Sequence, residues 1–272
     1  MWSEGFSGQD VGIAHLDTGV DASHPALSGA IADFIEVNLT GDGVLGDVAR
    51  DSDDHGTHTA GIIAGRPLGG TNTGIAPSAM LWSALVIEDG DALARTLYGL
   101  NWAIGQGVHI VSMSLGWPGY DPALLPIFEV IRRRGILPVI AIGNEGANTS
   151  RSPGNYQLSM SVGASDQNSQ VAEFSSSQAR TRPRHSTPTL VAPGVDINSC
   201  LPGGRYGLYS GTSMAAPQVA GLAALLMSAR PHASVAEVEA AILASCQLPA
   251  GVTADRGGAG IPSAVRALNL LP

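Results

Sequence analysis

The sequence predicts a single α/β domain, with a mostly parallel central sheet and helices on both faces, spanning residues 1–272. Three observations point to it. Apolar runs of strand length recur along the chain, helix-period stretches lie between them, and no linker, repeat or low-complexity segment interrupts the 272 residues. Parallel strands covered on both faces read as near-continuous rather than alternating apolar runs. Hydrophobic residues make up 44% of the chain and charged residues 14%, so a chain of this length can bury a large core without cross-links.

The first apolar run, residues 11–17, ends in Asp17-Thr18-Gly19. Further runs cover 80–87, 108–114 and 136–142, with helical patterns over 92–105 and 123–134 between them. In open parallel sheets the functional groups gather beyond the carboxyl ends of the strands, and Asp17 and Asn144 both fall there. The last third carries a different helix. Gly211-Thr212-Ser213 leads into a stretch that is small or apolar all round as far as Ala229, and such a helix should be buried. Pro217 is expected near its start, where a missing backbone donor is tolerated. Ser213 then stands at a helix N-terminus, where free N–H groups and the helix dipole favour negative charge.

Charge narrows the function. All 14 basic residues are arginine, and 23 acidic residues bring the net charge to −9. A nucleic-acid surface needs a net basic face, so no nucleic-acid partner is expected. Arg132-Arg133-Arg134 closes a helical pattern, where cations are favourable; the basic stretch 180–185 reads as a solvated loop. No apolar run approaches the ~18 residues of a membrane span, and no membrane partner is expected. The N-terminal MWSEGFSGQD lacks the basic head and apolar core of a signal peptide. Cys200 and Cys246 show no metal spacing and read as two packed thiols, with pairing left open.

Three blocks carry chemistry: Asp17-Thr18-Gly19, His55-Gly56-Thr57-His58-Thr59-Ala60-Gly61, and Gly211-Thr212-Ser213-Met214-Ala215-Ala216-Pro217. Singly, each has an ordinary reading as a turn, a helix start or a capping serine. Together they fit one purpose. A serine hydroxyl is a weak nucleophile and needs an adjacent base, and the base needs a carboxylate to fix its tautomer and stabilise the imidazolium. The order Asp, His, Ser along the chain is that of subtilisin.

At all three blocks the chain resembles the subtilisin-like serine proteases. The resemblance continues through Gly74-Ile75-Ala76-Pro77, Ser112-Met113-Ser114-Leu115-Gly116, Gly143-Asn144-Glu145-Gly146, Ala192-Pro193-Gly194-Val195 and Gly258-Ala259-Gly260. It implies a serine endopeptidase with Ser213 as nucleophile, His55 as general base and Asp17 orienting His55. Asn144 would join the Ser213 backbone N–H around the developing oxyanion, and His58 would be structural. The implied substrate is an extended polypeptide pairing with the backbone of 88–93 and 114–117, as strand addition. Ser114, Leu115, Gly116, Trp117, Glu145 and Arg151 are the candidate substrate-binding residues. Trp117 is expected to narrow the mouth of the primary specificity pocket or to add a wall to it. Arg151 either falls near its base, where the family lines the pocket, or simply pairs with Glu145.

Asp53, Asp54, Glu88, Asp89 and Asp91 fall on the family's non-primed side. They read either as solvated loops or as a preference for basic residues upstream of the cut. No cofactor is required for the chemistry. The family's tight calcium site is expected to be absent, because Ala26 follows His24-Pro25 where an Asp ligand is usual and Leu68 stands where an Asn is usual. A calcium ion elsewhere, in the aspartate-rich stretch 42–54, stays open. The resemblance further implies a monomer, a removed prosegment, and a mature domain secreted after loss of leader segments or kept inside the cell. The alternatives are a peptide ligase or macrocyclase using the same triad, and a non-catalytic peptide-binding relative. A metal-dependent hydrolase is disfavoured, since His55 and His58 are three apart with no Glu between them.

Overall fold

All six residues of β1 (Gly12–Asp17) are buried, as a strand covered on both faces requires. The computed structural model describes residues 1–181 and 184–272. After β1 come β2 (Ile31–Val37), β3 (Val44–Gly46), α1 (His55–Ala64), β4 (Met80–Leu85), α2 (Ala92–Gly105), β5 (Ile110–Met113) and β6 (Trp117–Pro118). Then follow α3 (Leu125–Arg133), β7 (Leu137–Ala141), β8 (Arg151–Ser152), β9 (Met160–Ser165), β10 (Gln178–Thr181), β11 (Arg184–Thr187) and β12 (Leu190–Pro193). The chain closes with β13 (Ile197–Leu201), β14 (Arg205–Tyr209), α4 (Thr212–Ala229), α5 (Val235–Ser245), α6 (Ala254–Gly257) and α7 (Ala264–Leu270).

Eight strands form one sheet in the order β12-β9-β7-β5-β1-β4-β2-β3. All neighbours are parallel except the β2–β3 pair at one edge. Side chains alternate across each strand. Ile13, Leu81, Ile110 and Val139 therefore pack with α1 and α4, whereas Ala14, Leu16, Val111 and Ile140 pack with α2 and α3. The predicted α/β architecture, with helices on both faces, is what the chain forms.

Four strands of this sheet escape the apolar-run criterion: β2, β3, β9 and β12. β2 contains Asp33 and Glu36, and the buried Glu36 is held by the Arg50 guanidinium at 2.5 and 2.6 Å. β9 alternates in Ser161, Gly163 and Ser165, small residues that admit close neighbours; a Cβ on Gly163 would meet Ser175 Oγ at 2.9 Å. The basic stretch expected as a solvated loop instead has its flanks in an antiparallel ladder, Arg180↔His185 and Thr181↔Arg184. Residues 182–183, and the side chains of 180–185, lie outside the described residues. Both cysteines are free thiols.

Helix α4 is buried almost throughout. Its 18 residues are long and apolar enough to cross a membrane by length and composition, yet it packs against α1, β5, β7 and β9. Pro217 sits in the helix interior, not in the first turn as expected. Proline there leaves the carbonyl four residues earlier without its intrahelical donor. That carbonyl belongs to Ser213, and the Ser114 hydroxyl supplies the missing donor at 2.9 Å.

Candidate active site

Three parallel strands, β1, β5 and β7, end where α1 and α4 begin. Asp17 is the last residue of β1 and His55 the first of α1. Thr18 joins the two elements: its hydroxyl accepts from the Gly56 amide at 2.8 Å and donates to Asp51 at 2.7 Å. His55 Nδ1–H donates to Asp17 Oδ1 at 2.6 Å, and the Thr18 amide donates to the same oxygen at 2.8 Å. Burial opposes charge on both partners, but their mutual attraction wins. The Asp17 carboxyl is held below its ordinary range, and the His55 imidazole is pushed up to about 9.

Ser213 is the second residue of α4. A first-turn amide has no carbonyl one turn back within the helix, so the Ser213 N–H stays available for an anion. The Ser213 hydroxyl donates to the Ser114 carbonyl at 3.3 Å, and Ser114 Oγ returns a bond to the Ser213 carbonyl. Ser213 Oγ is thus bonded to Ser114 and not to His55; a nucleophile–base bond is often formed only in the substrate complex. Asn144 follows β7. The Thr212 amide at 2.8 Å and hydroxyl at 3.0 Å both face its Oδ1. An amide N–H can only donate, so the acceptor oxygen must be the atom turned toward α4. That leaves Nδ2 as the free donor at the mouth of the site.

The sequence model of the subtilase family matches residues 8–264. The chain belongs to the subtilase family. It is 38% identical to subtilisin E of Bacillus subtilis over 247 residues, covering 88% of this chain and 61% of that protein. It is also 38% identical to the major intracellular serine protease of B. subtilis over 237 residues, covering 84% of this chain and 72% of the relative. Among solved structures, the prenylagaramide maturation protease PagA superposes with a TM-score of 0.84 at 27% identity, covering all of this chain and 97% of that one. This chain thus spans about three fifths of the length of subtilisin E.

Beside Ser213 in this subtilase lies a cavity of about 200 Å³, lined by Ser114, Leu115, Gly116, Gly143, Asn144 and Arg151 among others. Arg151 spans it, donating to the Gly116 carbonyl at 2.7 Å and to Glu145 Oε1 at 2.6 and 2.9 Å. The guanidinium in turn holds the Glu145 carboxyl below its usual range. Glu145 therefore acts on the cavity through Arg151 and does not line it. Trp117 does not line it either. In the two-residue ladder of β6 with β8, Trp117 lies opposite Ser152 and packs on the α2/α3 side of the core. Gly116, just before β6, borders the cavity and Trp117 does not.

The acidic loops are compensated only in part. Glu88 is paired with Arg50 at 3.0 Å and lies 3.8 Å from the buried Arg95. Asp91 caps α2 through the Ala94 amide at 3.0 Å, and Asp54 is hydrogen-bonded to the Tyr209 phenol. Arg50, which also holds Glu36, and Arg95 are distant in sequence and reach Glu88 alone among these acidic side chains.

In the stretch 42–54, Asp51 receives Thr18 and Thr57 donors, while Asp42 receives Asn38 and Thr40. The turn after His24-Pro25 and the loop behind α1 are joined by Arg66. The Arg66 guanidinium donates to the carbonyls of Ala64, Ala79 and Gly29 at 3.0 to 3.1 Å, and the Arg66 amide donates to Ala26 O at 2.6 Å.

His58 is buried, stacked on Tyr209, with Nε2 on the carbonyls of Ile197 and Gly207. Sequence reading missed His15, Thr59 and Thr212, which surround Asp17 and Asn144. The available signal was spacing: His15 is two residues before Asp17 on a strand, and Thr59 is four after His55 on a helix.

Proposed function

We propose that this subtilase is a serine endopeptidase that hydrolyses peptide bonds of extended polypeptides. The 2.6 Å His55–Asp17 hydrogen bond, at the end of the sheet where α4 presents Ser213, supports this reading above any other observation. In this reading His55 Nε2 takes the Ser213 proton as Oγ attacks the scissile carbonyl, and later returns a proton to the leaving amine. Asp17 holds Nδ1–H and stabilises the imidazolium. Asn144 Nδ2 and the Ser213 amide bind the oxyanion. The substrate strand pairs with the backbone of 88–93 and 114–117.

A fluorophosphonate is expected to label Ser213 stoichiometrically, read by peptide mass spectrometry, and to abolish proteolysis. Labelled protein with undiminished proteolysis would overturn the assignment. Only neutral imidazole accepts a proton, so kcat/KM should rise with pH through the His55 titration. With that group pushed up to about 9, the rise should continue above pH 7. A profile flat from pH 6 to 9 would contradict it.

We also propose that Arg151 restricts the residue accepted on the acyl side of the cut to small or polar side chains. Its guanidinium occupies volume that an apolar ring would need. Arg151→Gly should raise kcat/KM for a Phe-containing peptide relative to its Ala counterpart by about tenfold or more, the scale of a pocket gaining several methylenes of depth. An unchanged ratio would remove Arg151 from specificity.

A third proposal concerns calcium. Arg66 already ties the turn after His24-Pro25 to the loop behind α1, and its positive charge disfavours a cation beside it. Chelation should leave the melting temperature within about 1 °C. A bound ion filled at 100 times its dissociation constant would instead contribute about 2.7 kcal/mol. A drop of several degrees that calcium restores, and that persists in the Asp42→Asn/Asp47→Asn protein, would overturn this.

A further inference from the structure

Asp17 has a second histidine behind it. Side chains alternate along β1, so His15 and Asp17 project to the same face, the one covered by α1. On α1, His55 and Thr59 are one turn apart and share a face. In the β1–β4 ladder, His15 lies opposite Ser83. These periodicities bring four side chains together: His15, Asp17, Thr59 and Ser83 are each no more than 1% exposed. Ser83 Oγ is 3.0 Å from His15 Nδ1, His15 Nε2 is 2.8 Å from Thr59 Oγ1, and Thr59 Oγ1 is 3.0 Å from Asp17 Oδ2.

The proton directions follow from counting. Thr59 has one hydroxyl proton and three neighbours that could accept it: His15 Nε2, Asp17 Oδ2 and, at 3.1 Å, the Gly56 carbonyl. Were His15 protonated on Nδ1, Nε2 would draw the Thr59 proton to itself. Asp17 Oδ2 would then face a hydroxyl lone pair inside the protein, which is costly where no water can compensate. With His15 protonated on Nε2, Ser83 donates to Nδ1, His15 donates to Thr59, and the Thr59 proton goes to the carboxylate, the stronger acceptor. Each bond polarises the next. Burial holds His15 neutral against the pull of Asp17 and Asp51, and the neighbouring His55 opposes a second positive charge.

We infer that His15 is a positioning residue for the catalytic aspartate: its Nε2–H, set by Ser83, turns the Thr59 hydroxyl onto Asp17 Oδ2. This rests on the reading of Asp17, His55 and Ser213 as a triad. Asp17 then accepts from Thr18 and His55 on Oδ1 and from Thr59 on Oδ2, so both oxygens are held. Losing the Oδ2 bond makes the carboxylate more basic and strengthens its grip on the His55 proton. The acid limb of the kcat/KM profile then moves to higher pH.

The test is a set of pH profiles on the full chain. Thr59→Val and His15→Leu should move the acid limb up by roughly 0.3 to 1 pH unit, with kcat/KM below the limb falling about two- to tenfold and KM little changed. His15→Gln, whose amide can still donate to Thr59, should restore most of that loss, and Ser83→Ala should shift the limb in the same direction as His15→Leu. A limb that stays put in His15→Leu, or a His15→Gln protein as impaired as His15→Leu, overturns the inference. Should His15→Leu not fold, ¹⁵N imidazole shifts of the Ser213→Ala protein decide. Protonation of His15 on Nε2 is expected, and protonation on Nδ1 overturns the inference. Full activity in Ser213→Ala would instead sink the triad itself, so the two failures are separable.

Discussion

The Ser213→Ala and Asp17→Asn proteins are expected to cleave peptides at least about 10⁴-fold more slowly than the parent. Ser213→Ala removes the proposed attacking atom. Asp17→Asn keeps the shape but reverses a hydrogen bond: an amide facing His55 Nδ1 can donate, which favours the tautomer with its proton on Nε2, the atom that must accept. Burial sharpens the effect, because Asp17 is inaccessible to solvent and no water can replace the lost charge. Steady-state kinetics on one peptide, with the melting temperature as a folding control, would check both. A folded Asp17→Asn protein within tenfold of the parent would mean that Asp17 does not orient the base.

Asn144→Ala should lower kcat by about 10²–10³, with KM within a few-fold, because the amide meets the substrate oxygen only as charge develops on it. The orientation of that amide depends on Thr212, which supplies two donors to Oδ1. Thr212→Val removes the hydroxyl donor and keeps the backbone one, so it should cost much less, within about tenfold by the usual worth of one hydrogen bond. If Asn144→Ala raised KM and left kcat intact, the side chain would bind ground-state substrate and not the oxyanion.

The placement of Asp17, His55, Ser213 and Asn144 and the parallel sheet were legible in the sequence because each depends on local order. Asp17 closes an apolar run, His55 opens a helix, Ser213 precedes a stretch apolar all round, and Asn144 follows the strand that ends at Ala141. Strand-end and helix-start positions in such a sheet converge at one edge whatever the details. Strands β2 and β9 were not legible: buried Glu36 needs Arg50, and the small residues of β9 need close neighbours. Neither signature shows in a count of apolar residues.

What depended on partners far along the chain could not be read. Trp117 and Gly116 are adjacent, yet only the ladder with residues 151–152 decides which one borders the cavity. Glu88 and Asp91 look like free charge until Arg50 and the α2 amides reach them. Pro217 seems out of place inside α4 until Ser114, 99 residues away from Ser213, supplies the missing donor. The sequence by itself determined the type of most elements and which chemistry-bearing residues stand at the strand and helix ends, because periodicity and side-chain chemistry act over a few residues. The tertiary structure decided which charges are compensated, which side chain fills the cavity and which way the protons point, because hydrogen bonds and ion pairs act over a few ångströms of space, however many residues of chain lie between the partners.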